Sequence, residues 1–370
     1  MSGEARDVPG LGPAFDRVPR RRPRWGRRSP GTFDGGQGAD RGGATYAALD
    51  LGTNNCRLLV ARPAADGFRV VDAFSRIIRL GEGVSVTGRL SEAAIDRALA
   101  ALAICRDKIR NKGVTRARLI ATEACRTAAN ADEFRARVEA EVGITLEIIE
   151  RETEATLAAT GCTPLIDPQS RGVVLFDIGG GSSELVCLDR SSSGGNGPPP
   201  PHIRGWISLP HGVVTLAERY GGTQVTAETY EAMVQDVEKM IAPFSAAHGS
   251  DLDTVHLLGT SGTVTTIAGV HLELKRYDRS KVDGAWMNAD QIDAVIARLL
   301  AMDYQGRVDS PCIGSERADL VLAGCAILDA IRRAFPCQRL RVADRGLREG
   351  MLVEMMREDG VWAGQQVAAR

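Results

Sequence analysis

Two short segments of this chain carry the residue types best suited to gripping a phosphate chain. One reads Ala48-Leu49-Asp50-Leu51-Gly52-Thr53-Asn54-Asn55-Cys56-Arg57-Leu58-Leu59. The other, 127 positions later, reads Leu175-Phe176-Asp177-Ile178-Gly179-Gly180-Gly181-Ser182-Ser183-Glu184-Leu185-Val186. Asp50 aligns with Asp177, Gly52 with Gly179, Asn55 with Ser182 and Leu58 with Leu185. Each copy is an apolar strand, an Asp, a tight turn of small residues and a second apolar strand. Glycine turns let backbone amides approach an anion closely, and Ser182 adds a hydroxyl donor. An Asp at a buried strand end can hold Mg²⁺ directly or through water. The competing reading is a hairpin closed by an Asx-turn. The first copy, lacking a triple glycine, would not decide between them. The pair favours phosphate and points to two related domains facing each other.

Other candidates are weaker alone. Gly259-Thr260-Ser261-Gly262 follows an apolar strand and opens a helix near Thr263. Amides at a helix N-terminus suit an anion, although an ordinary N-cap has the same spelling. Glu150, Glu152 and Glu154 stand between a strand and a helix. A carboxylate there can take a proton from water, but acidic residues also favour a first helical turn, and the pattern favours the second reading. Thr122-Glu123-Ala124-Cys125-Arg126 is read as a strand end that aims Arg126 at a cleft or at solvent, with nothing to choose between them. His211 is the only histidine beside a candidate site and reads as a turn residue. No Ser-His-Asp triad and no histidine cluster suited to a metal is evident.

Strands are predicted at about 45–50, 57–62, 68–78, 118–122, 145–149, 172–177, 183–188, 203–209, 254–258 and 339–343. Helices are predicted from Ser91 to about Lys112, from an Asn130/Glu133 capping box through Val142, at 152–160, 226–248, 288–302 and 317–334, and from Leu347 to Arg357. Strands mixed with long amphipathic helices make an α/β protein, and repeated antiparallel hairpins make its sheets mixed.

The chain has 370 residues, 44% of them apolar, and a net charge of −1. That leaves room for two domains with large cores, and gives no bulk attraction for polyanions, so nucleic acid is not an expected partner. Its cations are nearly all arginines. The eight cysteines contain no Cys-x-x-Cys pair and lie mostly in apolar runs, as reduced core residues do. No apolar run is long enough to span a membrane, and a cytoplasmic location is expected. Residues 1–43 read as a disordered Arg/Gly/Pro-rich tail. Residues 190–202 read as a flexible surface loop.

The series of motifs resembles the exopolyphosphatase / guanosine-pentaphosphate phosphohydrolase family of the actin-like ATPase superfamily. Besides the two hairpins, it rests on Arg79-Leu80-Gly81-Glu82-Gly83, Thr122 to Arg126, Ile148-Ile149 through Glu154-Ala155, and Ser208-Leu209-Pro210-His211-Gly212. Leu258 to Gly262, Glu316-Arg317-Ala318-Asp319 and Asp344 through Gly350 complete the series. The resemblance covers roughly residues 46–356. With no His beyond His271, the chain is similar to the family's short two-domain form.

The resemblance implies an α/β fold of two actin-like (ribonuclease H-like) domains, with mixed sheets flanked by helices and the active site in the cleft between them. The first is expected over 44–166, with a C-terminal helix at 347–358 packing back, and the second over 167–346. The implied activity is Mg²⁺-dependent release of terminal phosphate from inorganic polyphosphate or guanosine pentaphosphate, with Glu154 as general base. Implied metal ligands are Asp50, Asp177 and Glu184. Implied phosphate contacts are Gly52, Thr53, Asn54, Asn55, Arg57, Arg126, Gly179, Gly180, Gly181 and Ser182, joined by Gly259, Thr260, Ser261 and Gly262. A homodimer stays open. The rival readings are an ATP-dependent kinase of the sugar-kinase branch and a non-catalytic polyphosphate or nucleotide sensor.

Overall fold

A computed structural model describes residues 43–65, 67–189, 202–249 and 254–362. The tail and most of the 190–202 loop lie outside the described residues.

Two mixed sheets repeat one strand plan. The first has the order β3-β2-β1-β4-β5, with β1 Tyr46–Leu51, β2 Asn55–Ala64, β3 Gly67–Ile77, β4 Arg116–Ala121 and β5 Glu147–Ile148. The second has β6 Gly172–Ile178, β7 Ser183–Asp189, β8 His202–Leu209, β9 Val255–Thr260, β10 Trp286–Asn288 and β11 Arg339–Ala343, in the order β10-β11-β9-β6-β7-β8. In each, three antiparallel strands continue into parallel ones: β1 pairs with β2 antiparallel and β4 parallel, and β6 pairs with β7 antiparallel and β9 parallel. The central strands are apolar on both faces, as strands covered by helices on two sides must be.

Each sheet borrows a covering helix from the other half of the sequence. Helix Arg151–Cys162 follows the first sheet but packs Ala155, Ala158, Ala159 and Cys162 against Val173, Leu175, Val186 and Leu188 of the second. Helix Leu347–Glu358 follows the second sheet but packs Met351, Leu352 and Met355 against Tyr46, Ala48 and Leu59 of the first. The two helices meet at glycines. A Cβ on Gly350 would lie 1.9 Å from the Leu157 carbonyl oxygen, and one on Gly161 would lie 2.0 Å from that of Gly346. The chain therefore crosses between the sheets twice at one tightly packed pair of helices. Among the described residues no helix is long and apolar enough to cross a membrane.

Several local expectations need correction. Residues 123–127 form a short helix, so Arg126 leaves a helix and not a strand end. Asn130 stands at the N-cap of helix Ala131–Arg137 but its side chain does not cap it: Oδ1 accepts from Leu90 N at 2.8 Å and Nδ2 donates to Leu90 O at 3.0 Å, a buried tie to the turn before helix Glu92–Asn111. The predicted helix at 317–334 begins at Val321. β10 and helix Val213–Tyr220 fall outside the predicted elements, both being short.

Candidate active site

The two hairpins close in the same way. Gly52 N donates to Asn55 O at 2.9 Å, and Gly179 N donates to Ser182 O at 2.9 Å. The aligned glycines thus occupy equivalent turns. The turns also touch: a Cβ on Gly180 would lie 3.0 Å from Thr53 Cβ and 3.1 Å from Asn54 N. A side chain there would press the second turn away from the first by a few tenths of an ångström. Further bonds from behind fix the second turn. Val213 N donates to Gly179 O at 2.9 Å, Val214 N to Gly180 O at 2.8 Å, and Ser183 Oγ to His211 O at 2.7 Å. His211 itself meets Asp236 at 3.2 Å, behind the turn.

Between the turns lies a cavity of about 120 Å³. Fourteen of the expected site residues line it: Asp50, Gly52, Thr53, Asn54, Asn55, Arg57, Glu154, Asp177, Gly179, Gly180, Gly181, Ser182, Ser261 and Gly262. Asn54 Oδ1, Asn55 Oδ1 and Ser261 Oγ are buried and find no partner among the described residues. Such groups are costly unless something satisfies them. A hydrated cation or a phosphate oxygen would do so, since an amide can turn either its oxygen or its NH₂ toward a ligand. Ser261 holds φ at 108° at the start of helix Gly262–His271, a conformation that side chains rarely adopt.

Four expected residues stand elsewhere. Gly259 lies inside β9, where a Cβ would come 2.5 Å from Phe176 Cζ, so its glycine serves core packing. Thr260 ends that strand, and its hydroxyl donates to Arg345 O at 2.6 Å. Glu184 sits behind the lining, where its Oε1 accepts from Ser182 Oγ at 2.7 Å and Ser208 Oγ at 2.8 Å. Arg126 is already engaged: it donates to Glu123 at 2.9 Å, Glu154 at 2.7 Å and Ile149 O at 2.7 Å. It orients the carboxylates around the cavity and does not line it.

Charge is concentrated here on buried side chains. Burial pushes the Glu154 carboxyl well above the ordinary range; nearby Glu184 adds to this and Arg126 opposes it. Burial, then Glu184, pushes Asp177 up to about 7. Burial also raises Asp50, with Arg57 the main opposition. Glu123 goes the other way: its burial is outweighed by hydrogen bonds from Arg151 and Arg126. Desolvated, mutually repelling carboxylates in an open cavity are what a cation would relieve. Among the described residues no three Asp, Glu, His or Cys side chains converge as a metal cage. Mg²⁺ needs no such cage, since it dehydrates reluctantly and uses one or two carboxylates together with substrate phosphates. Asp50 and Asp177 fit that role; Glu184 fits as a neighbour that accepts hydroxyls.

Arg317, which the sequence reading left without a role, lines the cavity. Its Nη1 approaches Thr266 Oγ1 at 3.4 Å, and among the described residues no carboxylate pairs with it. Burial, then the charge of Arg57, lowers its affinity for its proton. Its place in the Glu316-Arg317-Ala318-Asp319 motif was the available signal.

Known proteins share this architecture. The chain is 29% identical over 315 residues to the guanosine-5'-triphosphate,3'-diphosphate pyrophosphatase of Photobacterium profundum, an alignment covering 84% of this chain and 59% of that protein. The structure of an Aquifex aeolicus Ppx/GppA family member superimposes with a TM-score of 0.70 at 30% identity, covering 85% of this chain and 98% of that one. An exopolyphosphatase-like protein gives 0.76 at 28% identity, covering 85% and 99%. These likenesses bear out the two-sheet, actin-like architecture. Residues 59–359, most of the chain, match the sequence profile of the Ppx/GppA phosphatase family, and the chain belongs to that family.

Proposed function

We propose that this protein hydrolyses a terminal phosphoanhydride bond of inorganic polyphosphate or guanosine pentaphosphate. The observation that carries the reading is Glu154: a carboxylate held well above its ordinary pKa shares one cavity with the turns of both hairpins. The names of the relatives agree with it.

The chain's own groups divide the work. The turns at Gly52–Asn55 and Gly179–Ser182 grip the terminal phosphoryl from two sides through backbone amides, with Arg57 and Arg317 supplying fixed positive charge. Asn54, Asn55 and Ser261 turn their unspent polar atoms to the chain or to its hydration. Glu154 orients a water and takes its proton at a carboxylate oxygen, and its raised proton affinity suits that task near neutral pH. Arg126 fixes the rotamer of Glu154 through the 2.7 Å bond and leaves the other oxygen free. Mg²⁺, held by Asp177 and Asp50, would neutralise charge on the phosphoryl oxygens. Helices Arg151–Cys162 and Leu347–Glu358 form the hinge on which the cleft opens to release phosphate.

The test is phosphate release from long polyphosphate, tripolyphosphate and guanosine pentaphosphate side by side, with and without Mg²⁺. Release from at least one, lost on chelation, is expected. Binding without release would make the protein a sensor. Phosphate transfer to a sugar would make it a kinase.

A further inference from the structure

Besides the two crossing helices, a set of polar contacts ties the first half of the chain to the second. Arg79 follows β3 of the first sheet, and Asp319 precedes helix Val321–Ala334 of the second half. Arg79 Nη1 donates to Asp319 Oδ2 at 2.9 Å and Nη2 to Oδ1 at 3.1 Å, a two-pronged contact. Nη2 also reaches Glu316 O at 3.3 Å. Four residues on, Gly83 N donates to Glu218 Oε1 at 2.8 Å, and Ser85 Oγ donates to the other oxygen of Glu218. Glu218 lies on helix Val213–Tyr220, the helix whose first turn braces Gly179 and Gly180.

Both ends of this fastening are wired to the phosphate turns. Ile78 N and Arg79 N donate to Asn54 O at 2.9 and 3.1 Å, and Gly81 N donates to Thr53 O at 2.9 Å. A Cβ on Gly81 would sit 2.3 Å from Thr53 Cγ2, so this strap lies directly on the first turn. Arg79 adopts φ 47°, a left-handed conformation that a non-glycine residue keeps only when its surroundings over-determine it. Arg97 holds it there, donating to Ile78 O at 2.7 Å and Arg79 O at 3.2 Å. Asp319 stands two residues after Arg317 and beside Leu320, both of which line the active cavity.

We propose that Arg79 and Asp319, with Glu218 on Gly83 and Ser85, form a latch that keeps the two phosphate turns in register, and that the cleft opens only when this latch breaks. Arg79 and Asp319 are positioning residues. They act through the strap on Asn54 and through the segment that carries Arg317. A hinge at the glycine-packed helices can swing the two halves apart only by separating these pairs, which tie the strap on the first turn to helix Val213–Tyr220 and to the segment before helix Val321–Ala334. The side chains are 31% and 23% exposed, so the pair is partly shielded from water and strong enough to bias an opening equilibrium.

The test uses the full chain without ligand. Solution scattering and amide exchange are compared for parent, Arg79→Met, Asp319→Asn, the double variant and Arg79→Lys. Each of the two neutralising variants should raise the radius of gyration and speed exchange at the Gly83 amide about fivefold. The double variant should do no more than either single, because both remove one contact. Arg79→Lys keeps the charge but loses the two-pronged geometry, and should fall between. Unchanged scattering and exchange in Asp319→Asn would overturn the latch, as would additive effects in the double variant. If Arg79→Met fails to fold by circular dichroism, Asp319→Asn and Arg79→Lys still decide. None of these readouts involves turnover, so the latch and the hydrolase reading stand or fall separately.

Discussion

Asp177 and Glu184 face each other in register on β6 and β7, two acids at the very position where β1 and β2 pair Asp50 with Arg57. The duplicated hairpins thus differ in one chemically decisive residue. In the first, a cation answers the Asp. In the second, a like charge adds to the effect of burial, and together they push Asp177 up to about 7. This asymmetry makes the second hairpin the side that calls for an added cation, and it polarises the cavity.

The pair sets a pH dependence whose sign is fixed. A folded carboxyl above its unfolded value binds more protons folded than unfolded, so stability falls as pH rises between the two values. For Asp177 that window runs from 3.8 to about 7. Asp177→Asn should therefore raise the thermal stability of the ligand-free protein at pH 8 and change it little at pH 4. The gain should be roughly 2 kcal/mol, below the full shift because water in the open cavity screens the charge. Millimolar Mg²⁺ should stabilise the parent at pH 8 but not the variant. Melting curves at both pH values check this, and a variant that still gains equally from Mg²⁺ would remove Asp177 from the metal site.

Glu154→Gln should lower turnover by about 10²–10⁴-fold while leaving substrate affinity within a few-fold. The change keeps shape and removes the base. Rapid-quench phosphate release and calorimetric binding separate the two. Activity close to the parent's would shift the role to Glu150 or Glu152, neither of which lines the cavity.

Arg126→Met should act through Glu154 rather than through phosphate. It leaves two nearly buried carboxylates, Glu123 and Glu154, without one partner and should cost about 3 kcal/mol of stability. Arg126 opposes the rise in Glu154, so its loss should move the acid limb of the pH–rate profile to higher pH. An unmoved acid limb together with a raised KM would restore Arg126 as a direct phosphate contact.

Gly259→Ala separates packing from binding. The new methyl meets the buried ring of Phe176, an overpacking that costs about 1–3 kcal/mol. Thermal stability should fall while KM at low temperature stays near the parent's. A raised KM at unchanged stability would put Gly259 back in the phosphate loop.

Much of the site was legible because its signals are local. A glycine turn between two apolar strands determines its own hydrogen bond, so both hairpins and their alignment could be read directly. The helix from Ser91 was legible too, since Ser91 does accept from Ala94 N at 3.3 Å. What escaped was set by distant partners. Asn130 next to Glu133 spells a cap, but Leu90, forty positions away, claims its amide. Gly259 spells a loop, but the Phe176 ring requires the glycine. Arg126 spells a phosphate ligand, but three protein acceptors occupy it. Arg317 acquires meaning only when folding places it beside Arg57 without a carboxylate.

That last juxtaposition yields the sharpest test of anion binding. Arg317 is desolvated and close to another guanidinium, and among the described residues no carboxylate pairs with it directly; Asp344 and Glu316 act on it only through space and do not offset its burial, so in the ligand-free protein its charge is a liability. Arg317→Met keeps most of the stem's packing and removes that charge. The ligand-free variant should melt higher than the parent at low ionic strength. A bound phosphate chain reverses the balance, because it supplies the counter-charge that Arg317 lacks. Tripolyphosphate should therefore raise the melting temperature of the parent much more than that of the variant, and the two curves should converge or cross as ligand is added. A variant that melts lower without ligand and gains as much from tripolyphosphate as the parent would mean that Arg317 is a structural residue held by Thr266, with no part in gripping the chain.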